Sequence, residues 1–461
     1  MDAYACIFEL KLYMEDKSMS KQKFAIGEEG IYDAKKLGVP KMLLLGLQHA
    51  FAMFGATVLV PILTGLSVST TLLMAGLGTL LFHLITKGKV PAFLGSSFAF
   101  IGGYAAIAPL LGPNQEPNLE MLPYACGGVF VAGFVYLVLA TFIKFFGVKK
   151  VMRFFPPVVT GPIIISIGLI LAPSAINNCN TNWLLAIIAL GVIVICNIFG
   201  KGMIKIVPIM LGIVVSYIVA LCIGAVDFTP VKEANIVGPP ISSDAFMKFS
   251  LSSIISIVPI SLATMMEHIG DISAISATTG KNYMQTPGLH RTLIGDGLAT
   301  SMSAAFGGPA NTTYGENTGV LALTKVYDPK VMQIAALFAV ILSFFPKFAV
   351  IINTIPPAIT GGVSLILYGM ISSVGIRNVV ENHIDFTKSR NLIIAAVILG
   401  CALGFNGSEA GALVLTFGKQ TIELSGLAVA AIAGILLNAI LPGNDYVFET
   451  EDKHDELTFK V

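Results

Sequence analysis

The chain contains two closely related stretches, Pro156-Pro157-Val158-Val159-Thr160-Gly161 and Pro356-Pro357-Ala358-Ile359-Thr360-Gly361. Each stretch opens an Ile/Leu-rich segment with a later glycine, Gly168 in the first copy and Gly369 in the second. Chance similarity between two apolar segments rich in Pro and Gly is the alternative interpretation. A true internal repeat would define the architecture of the whole chain, because the elements between the copies determine their relative orientation.

Apolar stretches of about twenty residues, enough to cross a bilayer core of roughly 30 Å, surround both copies. The regular ones lie at 42–64, 70–86, 124–146, 155–176, 183–199, 203–226, 249–277, 331–352, 390–405 and 424–441. Others, interrupted by Gly, Pro, Ser and Asn, lie at 91–110, 288–306, 309–325 and 356–375. We therefore predict an all-α polytopic membrane protein with about fourteen spans. Because the repeat copies are seven spans apart, they face opposite ways, and this predicts a seven-plus-seven inverted repeat with a binding site near the bilayer midplane.

The composition supports a membrane protein and excludes several other classes. The chain is 55% hydrophobic and 12% charged, whereas soluble domains average roughly 45–50% apolar and about 25% charged. A net charge of +1 provides no overall attraction to nucleic acid, so we expect none as a partner. The six cysteines are scattered without CxxC spacing, and we expect neither a bound metal nor a cofactor.

The positive charges are distributed unevenly over the loops, which predicts the orientation of the chain. Cytoplasmic loops are enriched in Lys and Arg. One alternating set of loops holds Lys87, Lys89, Lys144, Lys149, Lys150, Arg153, Lys201, Lys205, Lys281, Arg291, Lys325, Lys330, Arg377, Lys388 and Arg390. The other set holds only Lys232, Lys248, Lys347 and Lys419. We expect a multi-pass protein of the cell membrane in which the N-terminal segment 1–40 and the tail 442–461 are both cytoplasmic.

Two of the interrupted spans, the third and the tenth, are predicted to be broken by short extended segments. In 307–325, Gly307-Gly308-Pro309 and an extended-looking run precede Gly315, after which only about 15 Å of helix remains. The stretch 91–103, which carries Ser97 and Phe98, resembles it in the first half. Irregular backbone at this depth must be buried in protein or line a cavity, and the start of a half-helix favours carbonyl oxygens or anions. Continuous helices kinked by Gly and Pro are the alternative.

The eighth span carries two carboxylates four residues apart, Glu267 and Asp271, which share one helical face. Ionisable groups inside a bilayer usually mark a substrate or proton pathway. Burial disfavours the charged form of a carboxyl group, so such a group can bind and release a proton near neutral pH. The alternative is that a neighbouring helix satisfies each carboxylate without any role in transport.

Further candidates lie in the same regions of the sequence. Glu316 follows Gly315 at the start of the half-helix, where it could also serve only as a capping charge. Asp296 and His49 are buried candidates for a proton pathway, and His49 could equally be a satisfied core histidine. Aromatic candidates for stacking on a flat ring are Phe98, Tyr314 and Tyr368, for which ordinary packing is the alternative.

The run from Asn311 to Lys325 resembles the signature of the nucleobase–ascorbate transporter family. The residues that carry the match are Glu316, Asn317, Gly319, Thr324 and Lys325. The resemblance is closest to the bacterial uracil permeases and covers nearly the whole chain. It implies a core domain of spans 1–4 and 8–11 (41–146 and 249–352), a gate domain of spans 5–7 and 12–14 (155–226 and 354–441), and a homodimer.

The resemblance also implies a function: import of a nucleobase, uracil above all, by proton symport with alternating access. It implies that Glu267 and Glu316 bind the ring N–H groups of the substrate. It implies a pocket lined by Phe98, Tyr314, Gly315 and Tyr368. Ser97 is a further candidate for substrate binding. The residues predicted to couple proton movement to transport are Glu267, Asp271, His49 and Asp296.

The resemblance does not decide between two kinds of substrate, uracil on one side and xanthine or uric acid on the other. Aspartate at 271 and 296 is more similar to xanthine and uric acid carriers, whereas Glu316 matches the uracil members. An anion exchanger of similar fold is a more distant alternative, because carboxylates would repel its substrate. We do not expect an enzyme, since the histidines lack metal-ligand spacing and no nucleophile–base arrangement is visible.

Overall fold

The structure is a computed structural model that describes residue 26 and residues 29–112, 116–408, 411–417 and 420–443. Most of the predicted N-terminal segment and nearly all of the predicted tail lie outside these ranges, as does Lys419.

Helices dominate the described ranges. They are α1 (Val39–Thr64), α2 (Val68–Ile85), α3 (Ile101–Ile107), α4 (Leu122–Phe146), α5 (Val148–Met152), α6 (Pro157–Cys179), α7 (Trp183–Phe199), α8 (Met203–Ile206), α9 (Pro208–Cys222), α10 (Thr229–Glu233), α11 (Leu251–Ile257), α12 (Ile260–Thr279), α13 (Leu289–Ala305), α14 (Gly315–Thr324), α15 (Pro329–Ser343), α16 (Pro346–Asn353), α17 (Pro357–Glu381), α18 (Ser389–Gly407) and α19 (Gly426–Ile440). Short 3₁₀ turns lie at Ala34–Leu37 and Ser243–Ala245, and a π-helical turn lies at Met284–Gly288.

The protein is a helical polytopic membrane protein. Over the described residues, seven helices are long and apolar enough to cross a membrane, or eight if α15 and α16, which are bent by 86° to each other, form one span. Shorter apolar helices are α7, α9 and α19. Many large apolar side chains on these helices are exposed, such as Phe199 at 74% and Ile440 at 75%, as expected of surfaces that face lipid.

The two copies of the repeat begin the helices α6 and α17. In each case a proline occupies the first helical position, where its missing N–H costs no hydrogen bond. The two helices pack closely on each other. At Gly168, an added Cβ would lie 2.1 Å from the Tyr368 carbonyl oxygen, so only glycine permits this approach. Small residues at helix contacts are typical of packing inside membranes.

The remaining helices pack in two sets. In the first set, α13 packs on α4 and α2, and α15 packs on α2 and α1. In the second set, α6 and α17 pack with α7, α18 and α19, and α9 packs on α7. The helix α12 contacts members of both sets, since it touches α4 and α14 as well as α6 and α19. It therefore lies at the boundary between them.

Four short strands complete the fold. β1 (Leu94–Ser96) pairs antiparallel with β2 (Asn311–Thr313), and all six residues are buried. β3 (Ala412–Phe417) and β4 (Gln420–Ser425) form a hairpin between α18 and α19. The prediction of an all-α chain with extended segments only in the third and tenth spans did not include this hairpin. Its strands are rich in apolar and β-branched residues and are separated by two residues, Gly418 and Lys419, a pattern typical of hairpins.

The residues just before α1 form a strap over the ends of α12 and α14. The Ile31 N–H donates to the Lys325 carbonyl at 2.8 Å, and the Tyr327 N–H donates to the Ile31 carbonyl at 2.7 Å. The Ala34 N–H donates to Asp328 Oδ2 at 2.9 Å. The Tyr32 hydroxyl donates to the Thr279 carbonyl at the end of α12. This strap, residues 29–38, therefore fixes the end of α14 relative to the end of α12.

Replacing Asp328 with Ala should lower the stability of the folded protein. Its carboxylate accepts from the Lys330 N–H at the start of α15 and from the Ala34 N–H of the strap, so the change removes the acceptor of one buried and one part-buried N–H group, at a cost of about 1–2 kcal/mol. The measurement is the apparent thermal midpoint in detergent. The control is Lys330→Ala, which removes only the ion pairs of the half-exposed Lys330 with Asp328 and Asp33, each worth about 0–1 kcal/mol; an equal shift in both variants would contradict the capping role.

Candidate functional site

The start of α14 is the geometric centre of the candidate site. β2 ends at Thr313, and α14 begins at Gly315 without a side-chain cap. An added Cβ at Gly315 would meet no atom within 4 Å, so this helix start faces open space. The N–H groups of its first turn have no partner within the helix, and the helix dipole makes the position favourable for carbonyl oxygens.

Four predicted carboxylates meet around this helix start. Glu267 and Asp271 lie on α12, Asp296 lies on α13, and Glu316 lies in the first turn of α14. Electrostatic interactions connect Glu267 with each of the other three. Glu267 and Glu316 are half-buried, whereas Asp296 is fully buried. The structure thus brings together residues that are up to 49 positions apart in the chain.

Asp271 is fixed by β2. The Thr313 hydroxyl donates to Asp271 Oδ2 at 2.8 Å. This bond joins the carboxylate-bearing helix α12 to the strand that ends just before the open helix start. A change in the charge of Asp271 would therefore act directly on the segment that positions Glu316.

Asp296 contacts His268, a residue to which the sequence analysis assigned no role. His268 Nδ1 lies 3.0 Å from Asp296 Oδ2, and both side chains are fully buried. His268 also meets the edge of the Phe82 ring. Because His268 directly follows Glu267 in α12, this contact fixes the rotation of α12 that directs Glu267 to the site. The only sequence signal was the position of His268 between two carboxylates.

One residue of the family motif, Asn317, connects α14 to α1. Asn317 Nδ2 donates to the His49 carbonyl at 3.1 Å and lies 3.1 Å from His49 Nδ1, so it attaches α14 to α1. Within the part of the chain that the structure describes, His49 Nε2 is buried without a hydrogen-bond partner.

The end of the motif shapes the end of α14. The Thr324 hydroxyl donates to the Val320 carbonyl, and Lys325 ends the helix with a left-handed backbone, φ 52°. Gly319 lies on an open face, where an added Cβ would meet nothing within 4 Å.

The predicted aromatic residues occupy different environments. Tyr314 is buried behind β1: its hydroxyl donates to the Ser96 carbonyl at 2.9 Å, and its ring packs on Gly95. Tyr368 on α17 is also buried, at 1% exposure. Phe98 is half-buried and packs against the hydrophobic clusters of both helix sets. Of the three rings, Phe98 has the most surface left for a ligand.

Ser97 supplies one more buried polar group beside Phe98. Its N–H donates to the Ala310 carbonyl at 2.8 Å, which extends the pairing of the two broken segments beyond β1 and β2. Its hydroxyl is buried and has no hydrogen-bond partner among the described residues. Such a group is available to a ligand or to water.

This arrangement suits a planar ring that presents both N–H and C=O groups. Ionised carboxylates only accept hydrogen bonds, and backbone N–H groups only donate them. The site therefore offers acceptors at Glu267 and Glu316 and donors at the start of α14. The described residues contain no group of three or more His, Cys, Asp or Glu side chains arranged to hold a metal ion.

The fold resembles that of known membrane carriers. It matches the transmembrane domain of the cyanobacterium bicarbonate transporter BicA with a TM-score of 0.60 at 15% identity, over 89% of this chain and 99% of that one. It matches SLC26A9 with a TM-score of 0.63 at 12% identity, over 88% of this chain and 66% of that one. At these identities the likeness concerns the fold alone. With its long apolar helices, this fold defines a polytopic membrane protein.

The chain belongs to the permease family, whose model it matches over residues 40–409. It is 41% identical to the uracil permease of Bacillus caldolyticus over 424 residues, 89% of this chain and 94% of that protein. It is 40% identical to the uracil permease of Bacillus subtilis (strain 168), covering 88% and 94%, and 37% identical to that of Escherichia coli (strain K12), covering 88% and 94%. The family resemblance read from the motif at 311–325 is confirmed.

Replacing Gly95 with Ala should damage the site through Tyr314. The new Cβ would lie 2.3 Å from Tyr314 Cζ, and relieving such overpacking typically costs about 1–3 kcal/mol. We expect a lower thermal midpoint and weaker substrate binding. Gly102→Ala is the control, because a Cβ there meets nothing within 4 Å. Wild-type binding by the Gly95→Ala protein would show that the ring position is unimportant.

Proposed function

We propose that the protein imports uracil together with protons by alternating access. The observation that carries this proposal is the pair Glu267 and Glu316 beside the open start of α14, in a permease whose relatives at 37–41% identity are named uracil permeases. Uracil presents two N–H groups and two carbonyls on one ring. Glu267 accepts from the N–H between the carbonyls, Glu316 accepts from the second N–H, and the α14 N–H groups donate to a carbonyl.

The architecture that we propose has fourteen spans in a seven-plus-seven inverted repeat. It counts the long helices, the bent pair α15–α16, the shorter apolar helices, α13, and the two broken spans that contain β1 and β2. The close packing of α6 on α17 supports the repeat, because equivalent elements of two inverted halves meet near their symmetry axis. Both termini are cytoplasmic, the membrane is the cell membrane, and the active form is a homodimer.

Core and gate domains follow from the same arrangement. The core comprises 41–146 and 249–352, and the gate comprises 155–226 and 354–441. The two sets of packed helices in the structure support this division. Transport requires that the core, with its bound substrate, move against the gate. Glu267 lies on α12, which contacts both sets, so substrate binding there can bias the movement.

Proton coupling is assigned to Glu267, Asp271, Asp296 and His49. Asp271 accepts from Thr313, Asp296 contacts His268 and His49 contacts Asn317, so each links the site to a neighbouring element. Protonation of the cluster relieves repulsion among the carboxylates and, together with uracil, favours the conformation that crosses to the cytoplasm.

A xanthine or uric acid carrier is the second candidate, because aspartate at 271 and 296 is more similar to the xanthine and uric acid members of the family. The six-membered ring of xanthine also presents an N–H between two carbonyls. An anion exchanger shares the fold but fits the site poorly, since the carboxylates would repel an anion.

The deciding experiment is uptake of labelled uracil into proteoliposomes under an imposed inward proton gradient. We expect accumulation that a protonophore abolishes and that unlabelled xanthine, uric acid and thymine do not inhibit. Glu267→Ala should lose both uptake and uracil binding, because it removes the principal acceptor. Strong xanthine competition with little uracil uptake would favour the second candidate, and unchanged uracil affinity in Glu267→Ala would refute the site.

Replacing Asp271 with Asn should separate proton movement from substrate binding. The amide keeps the size of the side chain and can still accept from Thr313, but it cannot take up a proton. We expect uracil binding to persist while accumulation against a gradient is lost and uptake becomes insensitive to the proton gradient. The measurement is proton flux per uracil in proteoliposomes. The same ratio as in the parent protein would exclude Asp271 from coupling.

A further inference from the structure

His268 and Asp296 form a buried contact beside the carboxylate site. His268 Nδ1 lies 3.0 Å from Asp296 Oδ2, and neither side chain has exposed surface. The sequence analysis gave His268 no role, and the proposed function uses it only as a neighbour of Asp296. Ionisable groups buried inside a membrane protein usually belong to a substrate or proton pathway.

The contact leaves both side chains short of hydrogen bonds. Among the described residues, neither oxygen of the Asp296 carboxylate accepts an aligned hydrogen bond, and neither ring nitrogen of His268 makes one. The two groups are therefore held together by proximity and charge. A buried carboxylate without donors is costly in its ionised form unless an opposite charge lies beside it.

The acidic neighbours of Asp296 cannot supply that opposite charge. Glu267 and Asp271 on α12 interact electrostatically with it, and neither can become positive. Tyr136 on α4 interacts with it as well. The Tyr136 hydroxyl, however, donates to Thr264 Oγ1 on α12 and leaves the carboxylate without a donor.

The basic groups on the neighbouring elements are occupied elsewhere. The helix α2 meets His268 with the edge of the Phe82 ring. The next residue, His83, lies with its Nε2 2.9 Å from the Ala92 carbonyl oxygen. Arg291, near the start of α13, donates to a carbonyl at the end of α2. Of these groups, His268 is the one placed to carry a positive charge against the carboxylate.

An uncharged pair requires one proton. Protonated His268 beside ionised Asp296, or neutral His268 beside protonated Asp296, leaves the pair without net charge. Removing that proton leaves an uncompensated negative charge in a medium of low dielectric constant, where charge is most costly. Imidazole is the side chain that gains and loses a proton near neutral pH, so the pair can release a proton that a lone buried carboxyl would keep.

The position of the pair suits a proton that moves with the substrate. His268 lies on α12 and Asp296 on α13, both within the proposed core, so the contact travels with the core. Glu267 directly precedes His268, and Asp271 interacts with Asp296; both carboxyls are half-buried and have the exposed surface that the pair lacks. Glu316 on α14 interacts with both of these carboxyls.

We infer that His268 and Asp296 hold the transported proton between them while the core moves. The proton reaches the pair through the half-buried carboxyls Glu267 and Asp271 on one side of the membrane and leaves through them on the other. The inference rests on the proposed function. It adds to that function His268 as a coupling residue and the place where the proton is carried.

His268→Gln in full-length protein tests the pair. Glutamine is similar in size and can still donate to Asp296, so uracil binding in detergent should stay near the parent value. The carboxyl of Asp296 then has no positive partner and keeps its proton throughout the cycle. The measurement is uracil accumulation in proteoliposomes at an inward pH difference of one unit, with the membrane potential held at zero. Each proton moved with uracil permits about tenfold accumulation there, so we expect the accumulation ratio to fall by about tenfold.

His83→Gln is the matched control. His83 is also a buried histidine of the proposed core, at 2% exposure, but its contact is a backbone carbonyl and not a carboxylate. We expect this variant to bind uracil and to accumulate it as the parent does.

Asp296→Asn tests the same contact from α13. A lone buried His268 then stays neutral, so the accumulation ratio should fall by the same factor as in His268→Gln. The double variant should fall no further, because one shared proton can be lost only once. A loss in the double variant equal to the product of the two single losses would show two independent protons and contradict the sharing.

Two further results would overturn the inference. A parent accumulation ratio in His268→Gln would leave the contact as packing alone. Loss of uracil binding in both single variants would show that the pair holds the site together and does not carry the proton; if one variant keeps its binding, its accumulation ratio decides. Absence of proton-driven uracil uptake by the parent protein is a separate result, since it refutes the proposed function before any variant is compared.

Discussion

The mutual pairing of β1 and β2 is the constraint on which the rest of the site depends. Extended backbone cannot lie in a bilayer with free N–H and C=O groups, and these two strands, separated by more than 200 residues, satisfy each other. Because they do, α14 can begin inside the protein and leave its first N–H groups for a ligand. Three contacts of the site depend on this placement: Thr313 to Asp271, Tyr314 to Ser96, and Asn317 to His49.

Negative charge is the main electrostatic feature of this site. The structural neighbours include a bicarbonate transporter, and a helix start by itself favours anions. Here Glu316 lies in the first turn of α14 and interacts electrostatically with Glu267 and Asp271, so the negative charge of these groups opposes binding of an anion at this helix start.

Much of this arrangement was predictable from the sequence, because spans, broken segments and intramembrane carboxylates each leave a local pattern. Glu267 and Asp271 were identified by their spacing and Glu316 by its position after Gly315. Contacts between distant elements leave no such pattern. His268 therefore passed unnoticed although it meets Asp296, and the packing of the Tyr314 ring on Gly95 could not be read from either residue. The hairpin β3–β4 was missed because nearly all of it lies between the predicted spans 390–405 and 424–441, in a segment that was read as a loop.

The strap has a consequence for how the chain is made. Ala34 pairs with Asp328, which is 294 residues later, and Ile31 pairs with Lys325 and Tyr327. A ribosome must therefore synthesise more than two thirds of the protein before Ile31 and Ala34 can reach their partners. Until then the strap, residues 29–38, lacks its hydrogen bonds to residues 325–328. The strap before α1 can therefore form its hydrogen bonds only after much of the second half of the protein has been synthesised.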